Sequence, residues 1–167
     1  MSQLPANSAS TVGDEGSTPL LSFPPQPKVM MVDDEKLNSF VVAEYLKAAG
    51  FRDLVYTTDP FETLPLARRV HPDVILLDLQ MPKLNGFEVL RQLRADDAFA
   101  DTAVVILTAS TEDEEKQRAL ALGATGFLYK PIDRDRLLAG LRSILASQAC
   151  QAQRRELSAE RKGRATA

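Results

Sequence analysis

Residues 74–82 read VILLDLQMP, and this stretch decides the fold. An apolar run of this length, preceded by His71-Pro72 and closed by Met81-Pro82, is typical of a strand buried on both faces of a parallel sheet. The strand ends on the carboxylate of Asp78. Because open α/β sheets place their chemistry at the carboxyl ends of their strands, Asp78 stands where a site would be built.

Four further β-prone runs alternate with helical patterns along the chain. The runs cover residues 28–32, 54–58, 103–107 and 125–129, and each strand of the predicted sheet is followed by a helical pattern. Consecutive parallel strands need a right-handed helical crossover between them. The alternation therefore predicts an α/β domain of the flavodoxin-like, doubly wound (βα)5 type, with a parallel five-stranded sheet in the order 2-1-3-4-5.

Three of the predicted helices carry local signals. The first runs from Lys36 to a terminal glycine, and its apolar positions recur at helical spacing: Leu37, Phe40, Val41, Ala43, Tyr45 and Leu46. The second opens on Asp59-Pro60, and Pro65 inside it predicts a kink or an irregular start. The fourth begins with the acid-rich, capped sequence Thr111-Glu112-Asp113-Glu114.

Length and composition predict a single domain. The chain has 167 residues, 44% of them hydrophobic, which is enough for one substantial core but not for a second full domain. The formal net charge of -3 gives no overall bias toward nucleic acid. A single cysteine, Cys150, cannot form an internal disulfide and suits a reducing compartment. The opening residues lack the basic start and the apolar core of a secretory signal, and no apolar run is near the ~20 residues that span a bilayer. We therefore expect a cytoplasmic protein without a membrane partner.

The two ends of the chain differ in composition from the middle. Residues 1–27 hold five of the ten prolines and predict a disordered arm; the alternative is that its Leu20 to Phe23 cluster docks on a partner or on the domain. Residues 28–146 form the predicted domain. Residues 147–167 form a polar tail with five basic and two acidic residues, for which we expect a frayed helical extension or disorder. This tail is too short for a helix-turn-helix domain, so DNA binding is disfavoured.

The carboxyl ends of strands one, three, four and five bring functional side chains to one edge of the predicted sheet: Asp33, Asp34, Asp78, Thr108 and Lys130. Three neighbouring carboxylates repel one another unless a cation lies between them, and Mg²⁺ prefers such oxygen ligands. A lysine and a hydroxyl beside the metal suit the oxygens of a transferring phosphoryl group. Asp78 can then act as the nucleophile and form an acyl phosphate.

Four motifs in this order resemble the receiver domain of two-component response regulators. They are MMVDDE, VILLDLQMPKLNG, VVILTAS and GATGFLYKPID, and the resemblance covers residues 28–146. It implies that Asp78 is the phosphoacceptor. It also implies that Mg²⁺ is held by Asp33, Asp34 and Asp78 together with the backbone carbonyl of Gln80.

The resemblance assigns roles to three more residues. Thr108 would contact the phosphoryl group after transfer, and Lys130 would pair with it, next to a cis Lys130-Pro131 bond. Phe127 matches the aromatic position that turns inward when Thr108 moves. The alternatives are an ordinary strand-end role for Thr108, a solvated charge for Lys130, a helix cap for one of the two acids after the first strand, and a core-only role for Phe127.

The implied function is a phosphorylation-controlled switch of protein–protein contacts. A histidine kinase or histidine phosphotransfer protein would donate the phosphoryl group, and an output protein that the sequence does not identify would read the change. The protein would not be an enzyme beyond catalysing its own phosphotransfer and dephosphorylation.

Two alternatives to this function stay open. One is a receiver module of a larger regulator whose output domain lies elsewhere. The other is an aspartyl-nucleophile phosphatase of the haloacid-dehalogenase type. It is disfavoured because Asp78 follows the third strand instead of the first, and because Gln80 stands where those enzymes have a second acid.

Overall fold

A computed structural model describes the backbone of residues 27–165 and the side chains of residues 27–154. Five parallel strands form one sheet in the order β2-β1-β3-β4-β5, which confirms the predicted doubly wound topology. The strands are β1 (Val29–Val32), β2 (Leu54–Thr57), β3 (Val74–Asp78), β4 (Ala103–Thr108) and β5 (Gly126–Tyr129). The predicted N-terminal arm lies outside the described residues, apart from Pro27.

Helices cover both faces of the sheet. In the described chain they are α1 (Lys36–Ala48), α2 (Thr63–Val70), α3 (Gly86–Ala95), α4 (Asp113–Ala121) and α5 (Arg134–Ala165), with short 3-10 turns at Pro60–Glu62 and Asp97–Phe99. Successive strand residues point to opposite faces of a sheet. The core therefore has two parts, one between the sheet and α2, α3 and α4, the other between the sheet and α1 and α5.

The middle strand, β3, is buried over its whole length. Ile75 and Leu77 pack toward α2, α3 and α4, whereas Val74 and Leu76 pack toward α1 and α5. Burying one large aliphatic side chain contributes about 1.5–3 kcal/mol relative to leaving it exposed. Burial on both faces explains why the apolar run is unbroken, and it fixes the position of Asp78 at the strand end.

The start of α2 is irregular, as Pro65 predicted. Asp59 Oδ1 accepts a hydrogen bond from the N–H of Phe61 at 3.1 Å, and the chain makes one 3-10 turn before α2 begins at Thr63. Pro65 is the third residue of α2. The N–H groups of a first helical turn have no partner within the helix, so a proline there removes no helical hydrogen bond.

The start of α4 differs in part from the prediction. The acids are present in its first turn, where Asp113, Glu114 and Glu115 interact favourably with the helix dipole. The predicted side-chain cap is wrong, because Glu112 occupies the cap position and makes no side-chain cap bond within the described chain. Instead the Ser110 hydroxyl accepts a bond from the N–H of Glu112 at 3.3 Å.

The apolar residues that predicted α1 lie on two faces of the helix, of which the sheet covers one. The face toward the sheet carries its buried residues, Ser39, Val42, Ala43 and Leu46, whereas Leu37, Phe40 and Val41 are exposed. Both sets share the spacing i, i+3, i+4 of one helical face. The periodicity correctly predicted a helix, but it could not tell which of the apolar residues the sheet would cover: Ala43 and Leu46 are buried, whereas Leu37, Phe40 and Val41 are not.

The last helix runs past the predicted end of the domain. It begins after Asp133, whose Oδ1 accepts a bond from the N–H of Arg136 at 2.8 Å, and it continues to Ala165. Four leucines in the first half of the helix are buried: Leu137, Leu138, Leu141 and Leu145. The polar tail is therefore helical as far as Ala165. Within residues 27–165 no helix is long and apolar enough to cross a membrane.

Gly86 lets α3 approach the end of β3 closely. A Cβ at this position would collide with the carbonyl oxygen of Asp78 and would lie 2.7 Å from the Cα of Leu79. We predict that Gly86→Ala lowers the free energy of unfolding by about 3 kcal/mol, because backbone atoms cannot move aside cheaply. Urea denaturation measures this change.

The matched control is Gly140→Ala in α5, where a Cβ meets nothing within 4 Å. This substitution should raise the free energy of unfolding by about 0.5–1 kcal/mol, since alanine favours a helix interior over glycine. Equal stability of Gly86→Ala and the wild type would contradict the close approach of α3 to β3.

Candidate functional site

Three carboxylates meet at the carboxyl edge of the sheet. Asp33 and Asp34 follow β1 and Asp78 ends β3, and one oxygen atom from each lies within 4.8 Å of the other two. Asp33 and Asp78 are buried, with 2% and 3% exposure, and Asp34 is half-buried. Buried ionised carboxylates cost free energy unless a cation is paired with them.

Lys130 supplies that positive charge to two of the three carboxylates. Its Nζ lies 2.7 Å from Asp33 Oδ2 and 2.7 Å from Asp78 Oδ2, so one ammonium bridges the ends of two strands. The backbone N–H of Lys130 donates to the carbonyl of Thr108 at 2.7 Å, which ties the segment after β5 to β4. The Lys130-Pro131 peptide bond is cis, as predicted.

The acidic surroundings raise the pKa of Lys130 above its ordinary value of 10.5. Burial acts in the opposite direction and by itself would lower the pKa, because it removes water from the ammonium. The hydrogen bonds to Asp33 and Asp78, together with their negative charges, outweigh the burial. Lys130 is therefore protonated at neutral pH and acts as the counter-ion of both carboxylates.

Asp33 also accepts hydrogen bonds from two residues that the sequence did not predict as part of the site. The backbone N–H of Glu35 donates to Oδ1 at 2.9 Å. The side-chain Nδ2 of Asn38 lies 3.1 Å from Oδ1 and 3.2 Å from Oδ2. No sequence signal singled out Asn38, because it is one of three polar residues among the first four of α1.

The carboxylate of Asp78 is held on both of its oxygens. Oδ1 accepts a hydrogen bond from the backbone N–H of Gln80 at 3.0 Å, and Oδ2 contacts Lys130. Gln80 is exposed, and the loop that contains it returns to place Gly86 against the carbonyl of Asp78. The sequence did not predict this role of Gly86, because a close backbone approach leaves no mark on the residue pattern except the glycine itself.

Thr108 lies on β4, which pairs with β3, and Phe127 lies on β5, which pairs with β4. Thr108 is fully buried at the end of β4, and its Oγ1 accepts a hydrogen bond from the N–H of Ser110 at 3.1 Å. It lies opposite Tyr129 of β5, whereas Phe127 lies opposite Ile106, two residues further from the carboxyl edge. The half-buried ring of Phe127 contacts Tyr129 edge-on, with ring centroids 5.2 Å apart.

The donor set of the cluster suits a divalent cation. Three carboxylates face one ammonium, so the formal charge of these four groups is -3 + 1 = -2. Carboxylate and carbonyl oxygens are the ligands that Mg²⁺ takes in proteins. Asp33, Asp34 and Asp78 therefore fit a divalent cation, with the Lys130 ammonium beside it.

Removal of the Lys130 charge should destabilise the protein when no divalent cation is present. We predict that Lys130→Met lowers the free energy of unfolding at pH 7 by about 2–4 kcal/mol in a buffer with a metal chelator, because two buried carboxylates lose their counter-ion. The pKa of Lys130 is raised by folding, so its contribution is fully present below the unfolded-state value of about 10.5 and is lost as pH rises through the higher folded-state value.

Urea denaturation at several pH values checks both statements. The difference between wild type and Lys130→Met should be constant through neutral and mildly alkaline pH and should shrink only above about pH 10.5. Lys47→Met is the control, because Lys47 forms an exposed pair with Glu44 at 2.8 Å and should change stability by less than about 1 kcal/mol. A Lys130→Met protein as stable as the wild type at pH 7 would be incompatible with the bridging role.

Comparisons with known proteins place the chain in one family. Residues 29–142 match the family model of the response regulator receiver domain. The chain is 36% identical over 119 residues to the DNA-binding dual master transcriptional regulator RpaA of Synechocystis sp., in a match that covers 71% of this chain and 49% of that protein. It is 32% identical over 117 residues to the polar-differentiation response regulator DivK of Brucella ovis, covering 70% of this chain and 94% of that protein. The chain thus spans about half the length of RpaA and nearly all of DivK.

A solved structure gives the same result for the fold. The chemotaxis response regulator CheY4 of Vibrio cholerae is 34% identical to this chain, with a TM-score of 0.67, over 71% of this chain and 98% of that chain. The family match includes all five strands and the three clustered aspartates. The chain therefore belongs to the response regulator receiver family of two-component systems.

Proposed function

We propose that Asp78 accepts a phosphoryl group from a histidine kinase or a histidine phosphotransfer protein, with Mg²⁺ as the cofactor, and that this reaction switches the contacts of the receiver with other proteins. One observation carries the proposal. The carboxylate of Asp78 is buried at the end of the middle strand, within 4.8 Å of two further carboxylates and 2.7 Å from the Lys130 ammonium. A carboxylate held among acids and one lysine is suited to receive an anionic group once the negative charge is balanced.

The transfer requires little covalent chemistry from the protein beyond the attack by Asp78. An oxygen of Asp78 attacks the phosphorus of the donor's phosphohistidine, the new P–O bond forms as the P–N bond breaks, and the imidazole leaves with the electron pair. Asp33, Asp34, Asp78 and the backbone carbonyl of Gln80 would hold Mg²⁺, which would supply positive charge to the phosphoryl oxygens. The N–H of Gln80 meanwhile holds Asp78 Oδ1 in place at 3.0 Å.

The same contacts support a switch after transfer. The phosphoryl group offers Lys130 a more negative partner than Asp33, so its ammonium turns from Asp33 toward the phosphoryl oxygens. The Thr108 hydroxyl leaves the N–H of Ser110 and donates to the phosphoryl group. Because β4 and β5 are paired at Thr108 and Tyr129, this movement reaches Phe127 on the same strand as Tyr129, and it alters the surface formed by α4, β5 and α5.

We propose that the receiver acts either by itself or as a module of a larger regulator. Both a receiver that acts by itself and a receiver module of a larger regulator fit the relatives, since the match spans 94% of DivK but 49% of RpaA. The DNA-binding activity named for RpaA belongs to that protein, and we propose a protein partner as the output here. We place the reaction in the cytoplasm, which suits the single cysteine, and limit catalysis to the receiver's own phosphotransfer and dephosphorylation.

Intact-protein mass spectrometry tests the phosphoacceptor. We predict that incubation with a small phosphodonor such as acetyl phosphate and Mg²⁺ adds one phosphoryl group to the wild type and none to Asp78→Ala. The same reaction with a metal chelator should give no adduct, because the charge of the three carboxylates then repels the donor.

The matched control is Asp135→Ala, which removes an exposed carboxylate in the first turn of α5 and should leave the adduct unchanged. An equal adduct in Asp78→Ala, or no adduct in the wild type with Mg²⁺, would exclude Asp78 as the acceptor. The phosphatase alternative predicts instead that a phosphate ester is hydrolysed catalytically and that the receiver shows no lasting adduct.

A further inference from the structure

We propose that Asn38 is a positioning residue for the divalent cation: its amide holds the Asp33 carboxylate in the orientation that the cation requires. The inference rests on the proposed function and extends it to a residue of α1 that lies outside the predicted ligand set. Asn38 does not contact the reacting atoms, and it acts through Asp33.

The Asp33 carboxylate has three sources of hydrogen bonds. Oδ1 accepts from the N–H of Glu35 at 2.9 Å and from Asn38 Nδ2 at 3.1 Å. Oδ2 accepts from Asn38 Nδ2 at 3.2 Å and from Lys130 Nζ at 2.7 Å. Asn38 is therefore the one side chain in this set that contacts both oxygens, and contact with both oxygens fixes the rotation of the carboxylate plane.

Asn38 becomes more important for the orientation of Asp33 once Lys130 has moved to the phosphoryl group. Once Lys130 pairs with a phosphoryl group, the contacts that remain on Asp33 are the Glu35 N–H on Oδ1 and the Asn38 amide on both oxygens. A backbone donor on one oxygen leaves the carboxylate free to rotate about that contact. Asn38 removes this freedom, so Oδ2 keeps the position in which it now meets Lys130 and stays available to the cation or to a water molecule bound to it.

The position of Asn38 is itself fixed by the packing of α1. The next residue, Ser39, is buried, and Val42 one turn later packs into the core between the sheet and α1 and α5. Asn38 and Asp33 line a cavity of only about 10 Å³ beneath this first turn. The packed first turn of α1 therefore presents the amide to Asp33, and there is little open space beside the two side chains.

Isothermal titration with Mg²⁺ tests this role directly. We predict that Asn38→Leu, which keeps the size of the side chain and removes its hydrogen bonds, weakens Mg²⁺ binding about tenfold. Asn38→Gln, which keeps an amide on a longer side chain, should bind Mg²⁺ more tightly than Asn38→Leu. Gln92→Leu is the matched control, because Gln92 is an exposed amide on α3 that donates a 3.4 Å bond to Glu88 of the same helix. It should bind Mg²⁺ as the wild type does.

Two further measurements separate positioning from a structural role. Melting temperatures of Asn38→Leu and the wild type with a metal chelator should agree within a few degrees. The Mg²⁺ concentration for half-maximal phosphorylation by acetyl phosphate should rise about tenfold in Asn38→Leu, while the rate at saturating Mg²⁺ should match the wild type. If Asn38→Leu does not fold, Asn38→Ala is used in its place, since it also lacks the amide and alanine favours a helix.

The outcomes distinguish this inference from the proposed function. If the wild type is phosphorylated and Asn38→Leu binds Mg²⁺ with unchanged or higher affinity, the positioning role is overturned and the phosphoacceptor stands. If the wild type is not phosphorylated at saturating Mg²⁺, the proposed function fails, and the calorimetric comparison of Mg²⁺ affinities still decides the role of Asn38.

Discussion

The ion pair of Lys130 with Asp33 and Asp78 is the interaction on which the site depends. One ammonium, 2.7 Å from an oxygen of each carboxylate, joins the ends of β1 and β3 to the segment after β5. Neither carboxylate could be buried and ionised without such a charge nearby, because isolated buried ions cost several kcal/mol. The parallel sheet brings these three chain segments to the same edge, and so the fold and the charge balance support each other.

The same charge balance would make the site sensitive to the binding of a divalent cation and to a phosphoryl group on Asp78. Lys130 alone leaves three carboxylates with an excess of negative charge, which favours a divalent cation, and a phosphoryl group on Asp78 would add a new anionic partner for the lysine. Under the proposed function, each change would redirect the ammonium of Lys130, whose backbone N–H is bonded to the carbonyl of Thr108 at the end of β4. A local shift of charge can therefore bias the arrangement of β4, β5 and the helices beside them, which is the kind of change that another protein can bind selectively.

Much of this arrangement could be predicted from the sequence because it rests on strong local patterns. The run from Val74 to Asp78 predicted a strand buried on both faces, and alternation with helices predicted the sheet order that the structure confirms. Other features depend on tertiary contacts that have no local signature. The sequence could not assign the face of α1 that meets the sheet, since two faces share one spacing. Asn38 and Gly86 gained their importance only once Asp33 and Asp78 had positions in space.

The most direct test of the central claim locates the phosphoryl group within the chain. Borohydride reduces an acyl phosphate to an alcohol, so an aspartyl phosphate is converted to homoserine, which peptide mass spectrometry identifies by position. After phosphorylation and reduction of the wild type, our account predicts homoserine at Asp78, and an unmodified aspartate at Asp33 and Asp34. Modification of either of those two residues in place of Asp78, or a phosphoryl group found on His71 or on a hydroxyl side chain, would contradict it.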